Sequence, residues 1–142
     1  MITGLFESRY GFPVVGVRVG IGGVSERYLV PFLIDTGSST TVIHARDAHH
    51  RLRLREADLD PRAWPADEIR VSSGIGGGAP YRLVSASYEF AHEDGTAEAF
   101  AGTLELGGLG SEGLPSLLGW DVLRHFRLDL NASRGSVALL PP

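Results

Sequence analysis

The chain has 142 residues, 13 basic against 17 acidic, a formal net charge of −4 and 43% apolar content. That length suits a single domain, 1–142, with one core, and the mildly acidic balance lacks the clustered positive charge that a nucleic-acid surface needs. No cysteine is present, which excludes disulfides, thiolate metal sites and a cysteine nucleophile.

The N-terminus, Met1 to Glu7, lacks a basic segment followed by a long apolar run, so it does not read as a signal peptide. No stretch approaches the length of a transmembrane helix. The expectation is a soluble cytoplasmic protein without a membrane partner, or a domain of a longer one. The 19 Gly and 8 Pro punctuate the chain into short segments. That pattern predicts an all-β domain with many turns.

Pro13 to Val19 and Tyr28 to Ile34 read as strands, with Gly20-Ile21-Gly22-Gly23 opening the connection between them. Asp35-Thr36-Gly37-Ser38-Ser39 follows, and then Thr40 to Ile43, β-branched throughout, reads as a third strand. The pattern places a carboxylate in a tight turn between two apolar strands. Burial there is costly to a charged Asp without partners, and a fold that keeps such an acid usually uses it. The plainer alternative is a polar hairpin turn, for which Asp and Gly are ordinary residues. The apolar flanks on both sides argue against it.

Ala45 to Leu54 has the length of a short helix but poor periodicity. Arg51, Arg53 and Arg55, at and just past its end, read as a solvated face. Asp60-Pro61 and Trp64-Pro65 mark a loop, because a residue before Pro avoids the helical region. Ile69 to Ser72 and Tyr81 to Phe90 flank a Gly-rich tip, Ser73 to Pro80. Apolar residues change phase along the second arm, which predicts a bulge near Leu83-Val84. Glu93-Asp94-Gly95 is a hairpin turn signal, and Thr96 to Leu106 continues as a strand before a loop from Gly107 to Gly113. Trp120 to Phe126 reads as a helix, with Trp120, Leu123 and Phe126 on one face. Arg127 to Leu130 and Ser136 to Leu140 form a closing hairpin.

Three of these elements, in this order, resemble the retropepsin-type aspartic proteases over most of the chain. Asp35-Thr36-Gly37 resembles the catalytic signature, and Gly74-Ile75-Gly76-Gly77 resembles the tip of the flap. Leu114-Pro115-Ser116-Leu117-Leu118-Gly119 before a short helix resembles the second signature. The resemblance implies a closed β-barrel, the acid-protease half, with one short C-terminal helix. It also implies a half-sized chain that works as a homodimer on a peptide or protein substrate, without metal or organic cofactor.

By matched position, Asp35 would be the acid-base carboxylate, one from each subunit. Thr36 would hydrogen-bond across the two-fold axis. Gly37 would leave room for the dyad and donate its N–H to a carboxylate. Ser38 resembles the pepsin-like form of the motif, whose hydroxyl supports a carboxylate oxygen. Gly74, Ile75, Gly76 and Gly77 would close over the peptide, and Leu114, Pro115 and Leu117 would wall an apolar pocket. Elementary chemistry agrees, since hydrolysis by carboxylates needs one acid and one base on a single water. Only one Asp-Thr-Gly is present, so the second carboxylate has to come from a second copy. Two departures stand out. The segment from His44 to Ile69 is longer than the compact viral pattern, and Pro141-Pro142 does not supply an interlocking terminal strand.

Other readings are weaker. Gly74 to Ala79 fits the letters of a dinucleotide fingerprint, but that motif must open a helix, and a β-alternating run follows here. His44, His49 and His50 lack the i, i+4 spacing of a helical metal pair and read as a solvated loop. The Gly-x-Ser-x-Gly elbow of a serine hydrolase is absent. Trp64 and Trp120 read as core or interface aromatics. The expected activity is an aspartic endopeptidase; the alternative is a non-catalytic dimerisation or peptide-binding module of the same fold.

Overall fold

The computed structural model describes residues 1–8, 11–22, 26–74 and 77–142, with backbone only at 73, 74 and 77. The strands are β1 (Ile2–Phe6), β2 (Pro13–Ile21), β3 (Tyr28–Ile34), β4 (Val42–Ile43), β5 (Ile69–Gly74), β6 (Gly77–Ala91), β7 (Ala97–Gly107), β8 (Leu117–Leu118), β9 (Arg127–Asn131) and β10 (Ser136–Leu140). Two short helices, α1 (Ala45–His50) and α2 (Trp120–Leu123), complete the set, with three 3-10 turns between Glu56 and Glu68. The expected all-β character holds.

The strands form one large sheet in the order β5-β6-β7-β4-β8-β3-β2-β1-β10-β9, and β6 also pairs with β2. That extra pairing brings the strand circuit back on itself. Two links of the circuit, β4 and β8, are only two residues long, so the expected closed barrel is not clearly formed.

Alternation along the central strands builds the core. Val15, Val17 and Val19 of β2 and Val30, Phe32 and Ile34 of β3 are buried, and the intervening residues lie on the other face. Side chains on a strand alternate between its faces, so this pattern follows directly from the sequence. Tyr88 and Phe90 of β6, Leu104 and Leu106 of β7, and Leu123 and Phe126 beside α2 fill the same core. Pro31 sits in β3 where only β2 pairs with it, since β8 reaches no further than Leu33 and Ile34. Its missing N–H therefore costs no ladder bond.

The predicted bulge near Leu83-Val84 is not there. β6 pairs with β7 in unbroken register from Tyr81↔Gly107 to Ala91↔Ala97. The phase change has another origin. Ala86, Tyr88 and Phe90 face the core, whereas Tyr81 to Val84 are half-buried on both faces in the hairpin arm. The predicted helix from Trp120 stops at Leu123, and Trp120 is exposed while Val122 and Leu123 are buried. The predicted third strand contracts to Val42–Ile43.

Candidate active site

The turn after β3 is not a hairpin turn. β3 and β4 do not pair with each other. β8 lies between them, parallel to β3 through Leu33↔Leu117 and Ile34↔Leu118 and antiparallel to β4 through Val42↔Leu117. The backbone N–H of Asp35 donates to the Leu118 carbonyl at 3.1 Å, which ties the start of the turn to the inserted strand. The polar-hairpin alternative therefore fails.

Within the turn, the Gly37 N–H donates to Asp35 Oδ1 at 2.9 Å. A Cβ added at Gly37 would lie 3.2 Å from that same oxygen, tight enough to crowd it. Both properties expected of Gly37 thus have a local counterpart. Thr36 is exposed, and its carbonyl accepts from Trp120 Nε1 at 2.6 Å. The role expected of the Ser38 hydroxyl is corrected: Oγ donates to the Thr40 carbonyl at 2.7 Å. The N–H of Ser38 reaches the Asp35 carbonyl at 3.1 Å. The tight turn places a carbonyl two residues on closer to this short side chain than the carboxylate, a familiar local competition for Ser.

Behind the turn stands a clamp that sequence reasoning missed. Asp121 accepts from the Thr41 N–H at 3.0 Å, from Thr41 Oγ1 at 2.7 Å and from the Val122 N–H at 2.9 Å. Thr41 Oγ1 in turn accepts from the Gly119 N–H at 3.1 Å. A Cβ at Gly119 would run into the Thr40 backbone, so only glycine allows the start of α2 to lie against this turn. Trp120 and Asp121 N–H groups donate to the Ser38 and Ser39 carbonyls at 2.9 and 3.2 Å. An Asp in the first turn of a helix was the available signal, but its partner 80 positions away was not legible.

Next to the turn runs an open groove of about 900 Å3 with Val14, Pro31, Leu33, Leu114 and Pro115 among its apolar lining. Arg46, Asp47, His50 and Arg51 border it from α1 and its C-terminal end. Of the expected pocket residues, Leu114 and Pro115 line it. Leu117 does not, although it is paired with Leu33. Asp35 is also outside the lining. It is half-buried and follows directly on β3, whose Pro31 and Leu33 do line the groove.

The glycine-bearing hairpin is formed by β5 and β6, which pair up to Gly74↔Gly77. Ile75 and Gly76 lie outside the described residues. A strand follows the glycines, not the helix that a dinucleotide fingerprint requires. His44 was expected in a solvated loop, but it is only 4% exposed, with both ring nitrogens engaged. His49 and His50 are exposed on α1 with ring centroids 5.0 Å apart. Trp64 is buried, and Trp120 is 45% exposed beside the turn.

No known family model matches the chain, and no curated protein matches it in sequence. No helix among the described residues is long and apolar enough to cross a membrane.

Proposed function

We propose that the chain is a retropepsin-like aspartic endopeptidase working as a homodimer, in which water is activated between two Asp35 carboxylates. The observation that carries this reading is the braced turn. Asp35 is held by Gly37 and Leu118, between strands separated by β8, at the end of the strand whose Pro31 and Leu33 line an apolar groove. The acid is thus fixed both within its own turn and from the inserted strand.

The chemistry needs two such carboxylates. Like charges brought close cannot both ionise, so the pair shares one proton. The ionised Asp35 takes a proton from water as its oxygen attacks the peptide carbonyl carbon. The protonated Asp35 gives its proton to the carbonyl oxygen. The C–N bond then breaks as the nitrogen takes a proton from one Asp35, while a hydroxyl of the diol returns its proton to the other Asp35 and the carbonyl re-forms, which leaves the dyad with one proton again. One chain brings one Asp-Thr-Gly, so a second copy about a two-fold axis supplies the other acid. Thr36 lies exposed where the facing turns would meet. The hairpin ending in Gly74 and Gly77 would close over the peptide, with Leu114, Pro115 and Leu33 taking an apolar side chain. No metal or organic cofactor is needed for these steps.

The test is an Asp35→Asn variant beside wild-type protein, incubated with a diverse peptide mixture from acidic to neutral pH, with products identified by mass spectrometry. Wild-type cleavage is expected, and the variant is expected to be a folded dimer without turnover. Substantial cleavage by the purified variant would sink the assignment. A dimer that cleaves nothing in either form would point to the non-catalytic module.

A further inference from the structure

His44 takes no part in the chemistry just described, yet it is buried with both ring nitrogens bonded. Nδ1 lies 2.6 Å from the Pro115 carbonyl, and Nε2 lies 2.9 Å from the Tyr81 hydroxyl. A carbonyl only accepts, so Nδ1 carries the hydrogen in the neutral ring and Nε2 accepts from Tyr81. This is a single defined tautomer.

The two partners belong to different parts of the candidate site. Tyr81 is on β6 within the hairpin arm, paired with Arg70 of β5 and Gly107 of β7. Pro115 is part of the groove wall. The imidazole stands edge-on to the Tyr81 ring, with centroids 5.6 Å apart. A Cβ added at Gly107 would come within 2.9 Å of the His44 ring, so the β6–β7 ladder leaves a gap that the imidazole fills. The wall is gripped at a second point. The His44 N–H donates to Ser116 Oγ at 3.2 Å, and that hydroxyl donates to Asp47 Oδ2 at 2.6 Å.

We propose that His44 is a positioning residue that ties the base of the glycine-bearing hairpin to the Pro115 wall of the groove, and that protonation of its ring reverses the Tyr81 bond and loosens the tie. Its bearing on catalysis rests on the protease reading; the tie itself does not.

The titratable groups around the ring are Asp47 from α1, Tyr81 from β6, and Glu105 from β7 acting on Tyr81. The Pro115-Ser116 wall brings a carbonyl and a hydroxyl but no charge. Burial lowers the pKa of His44, opposed by the Pro115 carbonyl and by Asp47. Burial and the Glu105 charge raise that of Tyr81, which keeps the phenol a donor. Once His44 takes a proton, Nε2–H must donate, and Tyr81 has to turn its own hydrogen elsewhere.

The experiment is nitrogen NMR of the imidazoles in the full chain, with amide hydrogen exchange of wild-type, Tyr81→Phe and His44→Asn proteins. The expected spectrum is the Nδ1–H tautomer for His44 at neutral pH, converting to the cation only on the acid side of an ordinary histidine. In Tyr81→Phe, which removes one hydroxyl, exchange across residues 69–74 and 77–82 is expected to rise roughly fivefold, as for one net hydrogen bond. β9 and β10 should stay unchanged. His44→Asn, whose amide can still reach Pro115, should match Tyr81→Phe in the hairpin.

An Nε2–H tautomer, or unchanged hairpin exchange in Tyr81→Phe, overturns the proposal. The tyrosine variant and the spectrum decide it even if His44→Asn does not fold. A chain that shows the tautomer and the exchange effect but never cleaves peptide loses the protease reading and keeps the tie. A chain that cleaves peptide with an Nε2–H ring does the reverse.

Discussion

Asp121 holds the site together at the scale of single residues. Its carboxylate accepts three hydrogen bonds from Thr41 and Val122, and hydrogen bonds to a charged acceptor outweigh neutral ones. Replacing it with alanine strands the Thr41 donors, and we expect a loss of about 3 kcal/mol in urea unfolding. Asp121→Asn keeps one acceptor oxygen and should lose about 1–2 kcal/mol. An unchanged unfolding midpoint in the alanine variant would show that the clamp is not stabilising. Gly119→Ala belongs to the same clamp. The Thr40 backbone stands where the new methyl would go, and backbone cannot yield as a side chain tip can. The expected cost is about 2 kcal/mol or more, read in the same unfolding experiment.

Among the elements, the groove wall and the hairpin arm are the pieces that the sequence placed best in order and least well in space. β3 and β10 match their expected strand bounds, because each is a short, almost wholly apolar run between turn residues. β8 was not visible as a strand. Two residues carry no period, and Leu117-Leu118 pairs only because β3 and β4 stand apart to receive it. Leu114, in the wall before β8, is 52% exposed. Leu114→Ala should therefore leave stability within about 0.5 kcal/mol of wild type. Should the groove bind an apolar substrate side chain, the same change raises KM for such peptides by about tenfold with kcat little altered. Equal KM values for wild-type and variant enzymes would remove Leu114 from the binding surface.

Acid stability is a property of the whole molecule, and His44 sets part of it. Its folded pKa is lowered by burial, so the folded chain binds this proton less readily than the unfolded chain. The stabilisation from the neutral ring is complete above the ordinary histidine value of about 6.5. It is lost as pH falls from there through the lowered folded value. The slope from this one group is at most about 1.4 kcal/mol per pH unit in that window. Urea unfolding across the window should show this component in wild-type protein and not in His44→Gln. The proposed homodimer carries a prediction at the same scale. With a dyad formed across subunits, activity per chain should fall on dilution while the remaining fold persists. Constant specific activity far below the dimer dissociation constant measured by sedimentation would refute the shared site.

The sequence by itself determined the all-β class and the Asp35 turn, because alternation, glycine spacing and an acid between apolar runs are local signals that need no partner. It also ordered the hairpin, the groove wall and the short helix along the chain. Only the tertiary structure decided that β8 separates β3 from β4, that Asp121 clamps Thr41, and that His44 is buried between Tyr81 and Pro115. Those contacts join residues 37 to 84 positions apart, and no local pattern encodes which distant partner a polar side chain will meet. Ser38 shows the same limit at short range, since its hydroxyl chose the Thr40 carbonyl according to the exact path of the turn.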